Sequence, residues 1–171
     1  MAYRRPEPLA KHHRLDPFAC GEPALDEWLV RHARSAQASD AARVYVTTTE
    51  GAKAVVGYYA LAAAQVAPQD ATTRALKGQP PARPVPAIIL ARLAVDQHHQ
   101  RAGVGRSLLQ DALLRCATAA EAIGARLLLV HAKHDAAKAW YQRYGFQASP
   151  TDPLHLQLLM KDLRAHLDLR G

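Results

Sequence analysis

Apolar positions fall into two rhythms along the chain. Between 24 and 38, Leu25, Trp28, Leu29, His32 and Ala33 recur at helical spacing, with Glu27, Arg31 and Arg34 elsewhere around the helix. Pro23 suits the first turn, where its missing N–H costs nothing. An amphipathic helix of about four turns is expected there. The flanking segments read as strands. Leu9 to Leu15 is expected to be a first strand. Arg43 to Thr49 is rich in Val, Tyr and Thr, and with Ala54 to Ala64 it predicts a hairpin turning at Glu50-Gly51. Val66 to Pro86 carries Pro68, Pro80, Pro81, Pro84 and Pro86 without a strong period. It reads as a long loop with a short helix near Thr72 to Leu76.

In the second half the apolar runs are denser. Ala87 to Val95 is nearly continuous, as in a central strand buried on both faces. A glycine-bearing loop follows, then a long helix from Val104 to Ile123 stopped by Gly124. Arg126 to Ala132 reads as a buried strand, Ala136 to Tyr144 as a helix closed by Gly145, Leu154 to Lys161 as a late strand and Leu163 to Leu169 as a last helix. Strand, helix, strand, helix in this order predicts a mixed α/β fold with a right-handed crossover. The 171 residues, 49% of them apolar, suit one domain, 1–171, with a sizeable core.

Composition narrows the function classes. No apolar run approaches the roughly 18 residues that span a bilayer, so no membrane role is expected. Met1 to Pro6 lacks the apolar core of a secretion signal, which predicts a cytoplasmic protein. Cys20 and Cys116 read as two free thiols. The nine histidines are scattered, and the adjacent pairs His12-His13 and His98-His99 would point apart on a strand, so no metal is expected. Lys and Arg outnumber Asp and Glu by 22 to 15, a formal charge of +7 that suggests a polyanionic partner such as nucleic acid.

The strongest chemical pattern is Gln100-Arg101-Ala102-Gly103-Val104-Gly105, between the apolar strand and the long helix. Amides of such a loop, joined by the first free donors of the helix, form an anion site. Gly103 and Gly105 let a phosphate approach the backbone, and Arg101 and Arg106 can add charged donors. The loop lacks the Lys-Ser/Thr of a Walker loop and the third glycine of the dinucleotide register. It resembles instead the Gln/Arg-x-x-Gly-x-Gly/Ala signature of the GNAT N-acetyltransferase superfamily. Trp140-Tyr141-Gln142-Arg143-Tyr144-Gly145-Phe146 resembles that family's second signature. The resemblance implies a central, mostly antiparallel mixed sheet with splayed central strands, flanked by helices. It implies acetyl-CoA as co-substrate, its pyrophosphate on Gln100, Arg101, Ala102, Gly103, Val104, Gly105 and Arg106, and its pantetheine arm along Leu93, Ala94 and Val95. Tyr141 is then the general acid that protonates the departing thiolate, a role a phenol of pKa about 10 can fill. His134 stands where many family members carry Asn. Asp96 and Asp135 are candidate bases or plain caps.

Further segments narrow the resemblance. Phe18 to Leu29, Val56 to Leu61, Leu90 to Val95, Leu128 to Lys133 and Pro150 to Leu154 resemble GNAT toxins of bacterial toxin–antitoxin operons. This implies acetylation of the α-amino group on charged tRNA, arrest of translation, a homodimer, and a small ribbon-helix-helix DNA-binding antitoxin. An α-amino group titrates near 8, so much of it is neutral without an enzyme base. Arg92, Lys133, Lys138 and Arg143 are the candidate tRNA contacts. Three alternatives stand beside this reading: another amine acceptor on a protein or small molecule, a non-catalytic CoA- or nucleic-acid-binding module, and an acyl-carrying Cys20 or Cys116.

Overall fold

The computed structural model describes residues 2–170, with no side-chain account of 169–170. The chain forms strand β1 (Glu7–Pro8), helix α1 (Pro23–Glu27), a π turn at Trp28–His32, α2 (Ala33–Ala38), β2 (Arg43–Thr47), β3 (Gly57–Val66), α3 (Thr73–Leu76), β4 (Val85–Val95), α4 (Val104–Ile123), β5 (Leu127–His131), α5 (Asp135–Gln142), β6 (Gln147–Ala148), β7 (His155–Leu159) and α6 (Met160–Arg170). The strands form one sheet in the order β1-β2-β3-β4-β5-β7-β6. β4 and β5 pair parallel, as a helical crossover requires. β1–β2, β2–β3, β5–β7 and β6–β7 pair antiparallel. This is the mixed, mostly antiparallel sheet expected from the sequence.

The residues gather into two compact units. One holds the chain up to Ala62 together with Arg92–Ala112, the other Ala63–Ala91 and the chain from Leu113 onward. In the first, the alternation of β2 turns Val44 and Val46 inward, where they join Leu9, Leu15, Phe18, Leu29, Ala33, Val55 and Tyr58. Burying each such large side chain stabilises the fold by about 1.5–3 kcal/mol. In the second, Leu127 and Leu129 of β5 pack with Val66, Ala71, Ala75, Val85 and Leu159.

The differences from the expected elements have local causes. Leu9 and Leu15 are buried as a strand would bury them, but the chain turns between them, with His13 N–H bonded to Ala10 O at 3.2 Å. Strand pairing in that segment is confined to Glu7–Pro8 and an isolated bridge from Arg14 to Ala54. The 66–86 loop contains the expected helix, capped by the Thr72 hydroxyl, which accepts from Ala75 N–H at 3.2 Å. β4 is not buried on both faces throughout: Pro86 and Ala91 are exposed, and Leu93 and Val95 are half-buried. The late strand ends at Leu159, because Met160 already begins α6. His98 and His99 lie in a 3₁₀ turn and His12 and His13 at a tight turn, so neither pair sits on a strand, and the His12 and His13 rings lie 4.1 Å from one another instead of pointing apart.

Candidate acetyl-transfer site

The glycine loop is braced from its own unit. Asp96 N–H bonds to Val56 O at 2.8 Å and Gln97 N–H to Ala19 O at 2.8 Å. The Asp96 carboxylate accepts from Ala19 N–H at 3.0 Å, and from His98 N–H at 2.9 Å and His98 Nδ1 at 3.1 Å. The Gln100 side-chain amide donates to Cys20 O at 3.0 Å and Val95 O at 2.9 Å, so this signature residue spends its side chain on the loop's shape. Arg101 and Gly103 then adopt positive φ, 64° and 84°. For Arg101 this left-handed conformation costs of order 1 kcal/mol, held in place by the surrounding bonds. The first bond inside α4 runs from Ser107 N–H to Gly103 O at 3.1 Å, after the amides of Val104, Gly105 and Arg106. A Cβ built on Gly103 meets nothing within 4 Å, so the backbone there is open to an approaching phosphate. Arg101 and Arg106 are exposed, Val104 is buried and anchors the helix, and Ala94 of the preceding strand is buried. Donors, dipole and cations together fit a pyrophosphate.

Three residues that brace this loop escape a motif search. Ala19 and Cys20 clamp it through their backbones. Gly57 lets β3 approach α4: a Cβ there would lie 2.9 Å from Leu108 Cδ1 and 3.1 Å from Val104 Cγ1. Their only signal in the sequence is that all three sit in segments resembling the toxin group.

The second unit carries Tyr141. His134 takes the N-cap of α5, its Nδ1 accepting from Ala137 N–H at 3.1 Å. This is the capping work an Asn side chain would do, which accounts for the departure from the family pattern. Asp135 occupies the first turn, where a carboxylate favours the helix dipole. Gly145, at φ 93°, closes the helix beyond. Tyr141 is 8% exposed, edge-on to Trp140 at 4.9 Å and to Phe146 at 5.6 Å. Burial pushes its phenol above the ordinary value of about 10, so it stays protonated at neutral pH.

The remaining candidates separate. Arg92 lies in the first unit, 4.2 Å over the Trp28 ring, whose plane is parallel to Tyr58 at 6.0 Å. The π turn begins at Trp28. Lys133, Lys138 and Arg143 lie in the second unit, with Lys133 and Arg143 exposed. Burial works against Asp96 ionising, but the hydrogen bonds from His98 and Ala19 outweigh it and hold the carboxyl below its usual range. That describes a cap and a weak base. Cys20 and Cys116 are free thiols, both pushed up to about 12, chiefly by burial, so neither is a nucleophile at neutral pH.

The fold also gathers three potential ligands, Glu7 and the adjacent His12 and His13. His13 Nδ1 accepts from Ala10 N–H at 2.9 Å, so its Nε2 carries the proton and donates to Glu7 at 2.9 Å. Neither nitrogen of His13 can then offer a lone pair to a metal.

Comparison with known proteins matches residues 40–148 to the acetyltransferase (GNAT) domain model. The chain belongs to the GNAT acetyltransferase family. It is 47% identical over 163 residues to a tRNA-acetylating toxin of Mycobacterium tuberculosis, covering 95% of this chain and 96% of that protein. A Tyr-to-Phe mutant of the toxin KacT shares the fold with TM-score 0.88 at 24% identity, over 96% of this chain and 99% of that one. A mutant AtaT toxin bound to the C-terminus of its antitoxin AtaR gives TM-score 0.80 at 25% identity, over 96% and 98%. This GNAT enzyme is therefore an acetyl-CoA-dependent acetyltransferase.

Proposed function

We infer that this acetyltransferase is a toxin that acetylates the α-amino group of the amino acid on charged tRNA and so blocks translation. The observation that carries it is the 47% identity, along almost the whole of both chains, to a tRNA-acetylating toxin. Acetyl-CoA supplies an acetyl group activated as a thioester. The loop from Gln100 to Arg106 binds the pyrophosphate through its amides, with Arg101 and Arg106 as cations. The backbone of Leu93, Ala94 and Val95, beyond the last parallel pair Leu90↔Val130, carries the pantetheine arm. Tyr141 gives its proton to the departing sulfur. Arg92, Lys133, Lys138 and Arg143 contact tRNA phosphates, and the charge of +7 suits that partner.

The whole chain works as one acetyltransferase domain in the cytoplasm, as a homodimer held by a small ribbon-helix-helix antitoxin. The AtaT relative bound to an antitoxin supports the last point. Among the described residues no helix is long and apolar enough to cross a membrane. The test is incubation with labelled acetyl-CoA and total charged tRNA. Label on the aminoacyl group, released when the ester is hydrolysed, is the expected result. Label on proteins or small amines alone refutes the tRNA reading.

A further inference from the structure

The reaction assigned to this chain leaves unused a pair of imidazoles at the end of β5. His131 is the last residue of that strand and lies opposite His155 of β7 in the register. The two rings stack at 3.8 Å between centroids and 10° between planes. His155 Nε2 is 3.4 Å from the Asp152 carboxylate. Both rings line a cavity of about 110 Å³ whose other polar lining residues are Gln65, Asp70, Ser149 and Gln157. There, Ser149 Oγ donates to Asp70 O at 2.8 Å and Gln157 Nε2 to the same oxygen at 2.6 Å. The Asp70 carboxylate accepts from Thr151. The imidazoles are the groups on this wall that ordinarily titrate near neutrality. His131 also stands at the carboxyl end of a parallel strand, where α/β folds place their ligands. The helix that follows carries Tyr141.

We propose that His131 is the base that takes the proton from the attacking amine, with His155 and Asp152 setting its protonation state. The proposal rests on the acyl transfer to charged tRNA inferred above. Two stacked imidazoles this close do not both hold a charge comfortably. Partial desolvation lowers the pKa of His131, the charge of His155 lowers it further, and Asp152 opposes them. The other charged or titratable groups nearby are Asp70 on the cavity wall and Lys133, His134 and Asp135 in the segment after β5. His131 is thus neutral at pH 7 and able to accept a proton. In the step, the amine nitrogen bonds to the acetyl carbon as the carbon–sulfur bond breaks. The nitrogen's proton passes to His131, and Tyr141 protonates the sulfur. Solvent then takes the proton from His131 and restores that of Tyr141, so the net change is amine plus thioester to amide plus thiol.

The experiment is the pH dependence of turnover for wild type, His131→Gln and His155→Gln, with acetyl-CoA and one charged tRNA. His131→Gln is expected to lower kcat about 100-fold at neutral pH, with KM for acetyl-CoA unchanged. It should also lose the acidic limb due to imidazole while keeping the limb of the amine itself. His155→Gln should move the imidazole limb to higher pH. A purely structural role would lower the rate without moving either limb. Full turnover by His131→Gln, or an imidazole limb that stays in place in both variants, overturns the proposal. If His131→Gln fails to fold, the limb of His155→Gln decides alone, and an unmoved limb counts against it. Should the wild type transfer nothing to charged tRNA, the substrate reading has failed, and the same three profiles are taken with the amine it does accept.

Discussion

Tyr141 and Asp96 show how environment assigns roles to groups that composition leaves equivalent. Tyr141 has lost its water, and burial keeps its proton in place as an acid requires. Tyr141→Phe removes only the hydroxyl. It should cut kcat about 100-fold while the affinity for acetyl-CoA, measured by calorimetry, changes little. Asp96 is held charged by three donors, so its folded pKa lies below its unfolded one. Its contribution to stability is therefore present above about pH 4 and lost as pH falls through the folded value. In urea titrations the advantage of wild type over Asp96→Asn should be full at pH 6 and should shrink steadily below pH 4. A constant difference across that range would mean that charge is irrelevant there.

At the scale of elements, the loop and α5 depend on contacts made by their neighbours. Gly57 allows β3 to pack on Val104 and Leu108, the first turns of α4. Gly57→Val should push that helix start away and raise KM for acetyl-CoA about tenfold or more, with kcat at saturation less affected, because the glycine loop and not Tyr141 is displaced. The cap at His134 acts on α5 alone. His134→Ala should cost about 1 kcal/mol in chemical denaturation, and His134→Asn should restore it.

For the molecule as a whole, the charge of +7 has a measurable signature. If charged tRNA is held through phosphates, its apparent affinity should fall steeply with salt. A site making about six phosphate contacts loses roughly 10³-fold between 50 and 200 mM. KM for acetyl-CoA, if one short loop holds its pyrophosphate, should move far less over the same range. Equal salt slopes for the two substrates would argue that tRNA is read without its backbone.

By itself the sequence determined the main helices and strands, because period and punctuation are local. The apolar repeat between 24 and 38, Gly124 after α4 and Gly145 after α5 each act on the next few residues. It also placed the glycine loop before a helix, where anion binding follows from backbone chemistry. The two-residue β6 and the brief pairing of β1 were not legible, since so short a strand exists only through its partner. Nor could spacing show that Gln100 braces the loop, that Asp96 is tied to Ala19 across 77 positions, or that His131 stacks on His155. Those are contacts between segments distant in the chain. Tertiary structure alone decides them, because burial and neighbouring charge depend on which surfaces meet.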